Sequence, residues 1–269
     1  MTDILNPIIV LGGLGLGFGV LLSIASDIFH VDVDPKIEEI RSVLPGANCG
    51  ACGFPGCDGL AAAIADGKAP VNGCSVGGMP VAERVAEIMG EDAEDMKKMV
   101  ATVLCQGDCD KAKEKYEYQG ITDCRAQNIQ QAGSKSCTYG CLGGGTCQEV
   151  CEFDAIEMIN GVAFVDKDKC TACMKCIEVC PKGIIELVPY ENEFVVKCKS
   201  EDAGKVVRNN CSIGCIGCQI CVKNCPVDAF SFENYLAKID YDICTNCGIC
   251  AEKCPTNAIF SSAVKELAV

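Results

Sequence analysis

Twenty-five of the 269 residues are cysteine, and most of them follow one repeating spacing. Cys244-x2-Cys247-x2-Cys250-x3-Cys254-Pro255 and Cys215-x2-Cys218-x2-Cys221-x3-Cys225-Pro226 are the same run twice. Three thiolates two residues apart can wrap one [4Fe–4S] cube corner by corner. The fourth, on a following helical turn, reaches the neighbouring cube. The expected ligand sets are therefore crossed: Cys215, Cys218, Cys221 and Cys254 on one cluster, and Cys225, Cys244, Cys247 and Cys250 on the other. A zinc site needs two Cys-x2-Cys pairs and does not call for this triple with a trailing Cys-Pro.

The middle block repeats the design with one departure. Cys170-x2-Cys173-x2-Cys176-x3-Cys180-Pro181 is regular, but its partner reads Cys137-x3-Cys141-x5-Cys147-x3-Cys151. Laid over the later run, Cys141 matches Cys215, Cys147 matches Cys221 and Cys151 matches Cys225, while Gly144 stands where Cys218 does. Cys137 is the natural substitute for the missing ligand. The expected sets are Cys137, Cys141, Cys147 and Cys180, then Cys151, Cys170, Cys173 and Cys176. A three-cysteine cluster with an open iron is the alternative for the first of these. Glu152 replaces the usual proline after Cys151.

The first motif differs. Cys49-x2-Cys52-x4-Cys57 lies in ANCGACGFPGCDGLA, and Cys74 follows after sixteen residues. Gly50, Gly53 and Gly56 let the loop close tightly around a bulky group. Cys49, Cys52, Cys57 and Cys74 make a closed four-thiolate site, for which structural zinc competes with a [4Fe–4S] cluster. Five cysteines remain: Cys105, Cys109, Cys124, Cys198 and Cys211. Cys211 is the counterpart of Cys137, yet its own block has a full set. A sixth cluster on Cys105, Cys124, Cys198 and Cys211 is expected, with spare thiols as the alternative.

Composition narrows the rest. The odd count leaves a thiol over in any all-disulfide scheme, and disulfide-dense domains are usually shorter than this chain. The only histidine is His30, far from every cysteine group. The net charge of −14 argues against a nucleic-acid partner. Trp is absent and aromatics make up 6%, so clusters would have to stand in for hydrophobic area.

These motifs need elements to hold them. No charge occurs from Ile4 to Ser26, and Pro7–Ser26 is long enough to cross a bilayer. Asn6 and Pro7 read as N-cap and N1. A cleaved signal peptide is the rival, but the first five residues contain no Lys or Arg. Gly13/Gly17 and Gly15/Gly19 offer small faces to a partner helix. They do not form GxGxxG, so no dinucleotide loop is read here. Helices are expected over 35–44, 58–66 and 81–89, a linker over Glu91–Asp95, a strand over 98–104 and a charged helix over 110–117. The fold class is α+β: an anchor (1–26), a small 4Fe–4S domain (27–90), a linker region carrying extra cysteines (91–135), and two tandem bacterial ferredoxin-like units (136–192 and 193–269). Cluster assembly needs reduced thiols, which places the bulk of the chain on the cytoplasmic side of a single-pass anchor.

Together, the anchor, the NCGACGFPGCDGLA loop with distant Cys74, KSCTYGCLGGGTC with its ferredoxin-like pair, and the second pair after CSIGCIGCQIC resemble the B subunit of the Rnf complex. The chain is similar to the longer, clostridial type, with two ferredoxin pairs. The resemblance implies a protein that accepts electrons from soluble reduced ferredoxin. It passes them to other membrane and flavin-bearing subunits, and finally to NAD, while the complex pumps Na+ or H+. An Fe–S subunit of polyferredoxin type in a different membrane redox complex is the alternative. No Rossmann loop is present and the membrane segment carries no ionisable residue, so conduction of electrons is the role expected here, with no catalytic residue of its own.

Overall fold

The computed structural model describes residues 2–28, 34–93 and 97–261. α1 (Thr2–Ile28) is helical throughout. Its described side chains run from Val10 to Ser26, and Leu11, Leu16, Phe18 and Leu22 are exposed. Among the described residues no helix is long and apolar enough to cross a membrane.

Three helices follow. α2 (Pro35–Val43) starts with Pro35 at its first turn, and its cap Asp34 accepts from the Lys36 N–H at 2.9 Å. It stops at Leu44, immediately before Pro45, whose ring disfavours helical backbone in the residue ahead of it. α3 (Gly56–Ala65) and α4 (Gly78–Met89) complete the small domain, α4 ending at left-handed Gly90. Ile40, Leu60, Ile64 and Val85 are fully buried between them.

The rest is one plan used twice. In the first unit β1 (Met99–Val103) leads through α5 (Cys124–Ile129) and α6 (Thr146–Glu149) to the hairpin β2 (Ile156–Ile159) and β3 (Val162–Val165). α7 (Lys175–Val179) and β4 (Ile185–Pro189) close it. In the second, β5 (Phe194–Val196) leads through α8 (Gly204–Asn210) and α9 (Ile220–Asn224) to β6 (Phe230–Glu233) and β7 (Leu236–Ile239). α10 (Ile249–Glu252) and β8 (Ile259–Ser261) close it. The pairings are antiparallel and equivalent: β1 with β4 and β2 with β3, then β5 with β8 and β6 with β7. Two-residue turns of left-handed backbone close both hairpins, at Asn160–Gly161 and Asn234–Tyr235. The expected strand over 98–104 is β1, and its pairing makes it the first strand of the first unit.

The charged helix expected over 110–117 does not form. Its backbone is spent on neighbours: Lys113 N–H donates to Asn210 O at 2.9 Å and Lys115 N–H to Ser134 O at 2.7 Å. Bridges Ala112–Cys211 and Glu114–Lys135 result, so the segment is a strap between the two units.

Candidate metal centres

Four cysteine runs share one backbone path. Two residues and four residues after the first cysteine the chain is left-handed in every case: Gly143 and Gly145, Ala172 and Met174, Gly217 and Gln219, Asn246 and Gly248. The position three after the last cysteine is left-handed too, at Asp154, Gly183, Asp228 and Asn257. Ala172, Met174 and Gln219 have side chains there, at a cost of roughly 1–2 kcal/mol each. Backbone held in this way in four places curls each loop around a concave space.

That space is a cavity lined by four thiols. Cys215, Cys218, Cys221 and Cys254 surround one, Cys225, Cys244, Cys247 and Cys250 a second, and Cys151, Cys170, Cys173 and Cys176 a third. In each, three thiols come from one run and the fourth from its partner. Among the described residues no three His, Cys, Asp or Glu side chains converge on the position of a single metal ion. Thiols spread around a cavity suit a polynuclear group. The sulfurs also receive backbone donors: Ala155, Ala229 and Ala258 N–H reach Cys151, Cys225 and Cys254 Sγ at 3.3–3.4 Å, four residues on in each run.

The fourth cavity departs from expectation. It is lined by Cys124, Cys141, Cys147 and Cys180, not Cys137. The reason lies at Gly144, where a Cβ would meet Cys124 N at 2.9 Å and Asp123 C at 3.1 Å. The missing side chain makes room for the start of α5 and the cysteine it carries. Cys124 N–H donates to Thr146 Oγ1 at 2.7 Å, and Asp123 caps α5 through the Arg125 and Ala126 N–H groups. Glu152, in place of proline, pairs with Lys175 at 2.5 Å and ties this run to its partner.

The expected sixth set changes by the same exchange. A fifth cavity is lined by Cys105, Cys137, Cys198 and Cys211. Cys137 lines this cavity and Cys124 does not. Cys109 is exposed and lines none of these cavities. The signal that could have placed Cys137 was in the repeat itself: Cys137 and Cys211 both stand in Cys-x2-Gly-Cys, and equivalent positions do equivalent work.

Electrostatics follows the same grouping. Burial, then repulsion from Cys141, Cys124, Cys180 and Cys176, pushes Cys147 up to about 12. Burial raises Cys221 to about 12, with Cys215, Cys218 and Cys254 adding to it. Burial raises Cys74, opposed by the Gly77 N–H and reinforced by Cys57, Cys49 and Cys52, and Cys52, Cys57 and Cys74 pack in one apolar cluster. Asn48 Oδ1 pins the loop by accepting from Cys57 N–H at 2.8 Å. Clustered, partly dehydrated thiols of this kind release protons when metal binds.

Known proteins are similar to this chain in sequence. A family profile for an Fe–S cluster domain matches residues 44–76, one for a 4Fe-4S binding domain matches 163–186, and one for a 4Fe-4S dicluster domain matches 214–258. The chain is 52% identical to the B subunit of the Na(+)-translocating ferredoxin:NAD(+) oxidoreductase complex of Acetobacterium woodii, over 91% of this chain and 74% of that protein. It is 43% identical to the B subunit of the proton-translocating ferredoxin:NAD(+) oxidoreductase complex of Clostridium ljungdahlii, over 91% and 87%. The chain belongs to the B-subunit family of ion-translocating oxidoreductase complexes. The Methanosarcina acetivorans member, the B subunit of an ion-translocating oxidoreductase complex, is 43% identical over 90% of this chain and 92% of its own length. The family's Fe–S domains fall on the thiol-lined loops described above.

Proposed function

We propose that this chain is the electron-transfer subunit of an ion-translocating ferredoxin:NAD oxidoreductase complex. It accepts electrons from reduced ferredoxin and relays them through [4Fe–4S] clusters to partner subunits. The observation that carries this reading is the fourfold repetition of one left-handed loop around a thiol-lined cavity, in a chain of this family. The ligand sets are Cys49, Cys52, Cys57 and Cys74; Cys124, Cys141, Cys147 and Cys180; Cys151, Cys170, Cys173 and Cys176; Cys215, Cys218, Cys221 and Cys254; and Cys225, Cys244, Cys247 and Cys250.

Each cluster, when bound, supplies one-electron chemistry at a potential set by its surroundings. The chain's own residues hold the iron, exclude water and donate N–H groups to sulfur. Partial burial of most of the thiols and the Ala155, Ala229 and Ala258 donors tune the sites. Cys218 and Cys247 are exposed, which leaves the second unit open to a redox partner.

The uncharged stretch of sequence from Ile4 to Ser26 supports a single-pass anchor in the cell membrane, with the remainder on the cytoplasmic side. Purification from native membranes tests both parts. The protein should be brown, carry at least about 20 iron atoms with matching sulfide, and co-purify with flavin-bearing subunits. Zinc in place of iron in an anaerobic preparation would overturn the reading. Deleting residues 1–26 should release a soluble, iron-loaded chain. Retention in washed membranes without partner subunits would refute the anchor.

A further inference from the structure

The cavity lined by Cys105, Cys137, Cys198 and Cys211 lies between the two ferredoxin-like units and belongs to neither. Its thiols come in two equivalent pairs. Cys105 follows β1 by two residues, and Cys198 follows β5 by two. Cys137 and Cys211 each precede the first cysteine of a run by four. Their surroundings match as well. Cys141 N–H donates to Cys105 Sγ at 3.4 Å, and Cys215 N–H serves Cys198 in the same way. Cys137 faces the Tyr139 and Gly140 N–H groups, and Cys211 those of Ile213 and Gly214.

The strap holds the two halves in place. Ser136 N–H donates to Lys113 O at 2.7 Å and Lys113 N–H to Asn210 O at 2.9 Å. One short segment thus fixes the backbone beside both Cys137 and Cys211. The space around these thiols, open solvent included, is about 510 Å³, against 310–400 Å³ on the same measure for the four cavities formed by the runs. The charge of the wall is also suited to an anion. Lys135 is 4% exposed, and its ammonium donates to Gly107 O at 2.7 Å and Gly161 O at 2.9 Å. A buried cation held by carbonyls is stabilised by a negative neighbour. Four thiolates around an iron–sulfur cube supply one.

We propose that this cavity holds a further [4Fe–4S] cluster, ligated by Cys105, Cys137, Cys198 and Cys211, two thiolates from each unit. The proposal rests on the reading that the thiol-lined cavities hold clusters. Four thiol protons leave as the thiolates bind. The site also joins what would otherwise be separate groups of thiols. Cys105 touches the backbone of Cys141 in the first unit, and Cys198 that of Cys215 in the second. At the far end of the first unit, Cys49 lies within electrostatic reach of Cys173. The thiol groups then form one uninterrupted series from the small domain to the second unit.

The test uses the full chain, prepared anaerobically, with iron counting, EPR and circular dichroism. Cys211→Ser should lower iron by about four atoms and remove one EPR component, and Cys198→Ser should remove the same component. Cys109→Ser should lose none. The double variant Cys124→Ser/Cys211→Ser should lose about eight irons, because its residues serve different sites. Loss of only about four would place Cys124 and Cys211 on one cluster and overturn the assignment. Unchanged iron in folded Cys198→Ser and Cys211→Ser proteins would overturn the site itself. If either variant fails to fold, wild-type iron decides: about 24 atoms with the site, about 20 without it. Failure of the underlying reading looks different, since wild-type protein would then lack cluster iron altogether.

Discussion

The two ferredoxin-like units have the same strands, hairpins and left-handed loops, yet they complete their sites differently. The second draws all eight thiols of its two cavities from its own runs. The first draws seven from its runs and takes the eighth, Cys124, from the segment between β1 and the first run. Loop shape is the same in both, with left-handed Gly143 and Gly145 matching Gly217 and Gln219. The comparison teaches that the backbone, not the full cysteine count, makes the cavity. A ligand can then come from elsewhere if a glycine leaves room. It also explains a difference in wetting: Cys218 is exposed, whereas the equivalent Gly144 is buried beneath α5.

The strongest way to break the comparison is Cys124→Ser. It should cost about four irons, all from the first unit, with the EPR components of the second unit unchanged. Unaltered iron would mean that the first unit does not borrow its ligand. A finer probe is Gly144→Ala. Its new methyl would press on the backbone of Cys124 and Asp123, at 2.9 Å and 3.1 Å. Overpacking against backbone should cost about 1–3 kcal/mol, seen as a lower melting temperature. A wild-type melting curve would show that α5 is not seated there. The smallest effect belongs to the surface between the units. Lys97 and Asp242 pair at 2.6 Å, but both are exposed. Lys97→Ala should leave the melting temperature unchanged, because solvent and salt screen such pairs. A clear drop would mean that charge contributes to holding the units together.

Spacing alone revealed the regular runs, since each crossed set follows from three close thiols and one distant one. Composition revealed the class, because 25 cysteines with a single histidine point to iron and sulfur. The exchange of Cys124 and Cys137 was not legible by proximity in sequence. Cys137 is four residues from Cys141, whereas Cys124 reaches the site only through a helix seated on a glycine. The strap was missed for a related reason. DKAKEKYE has the charge pattern of a surface helix. Its amides are instead drawn into pairing with Asn210 and Ser134, which lie far along the chain from it. Local propensity could not report on those partners.

The shared cavity has a consequence for biogenesis. Its thiols are spread from Cys105 to Cys211, so this site cannot close until the second unit has begun to emerge from the ribosome. By then the small domain and both run cavities of the first unit have all their cysteines outside. A cluster loaded at the junction during synthesis would therefore follow completion of the thiol sets of the first half of the molecule. A chain arrested before Cys211 would carry a loaded first unit beside an open, thiol-bearing edge.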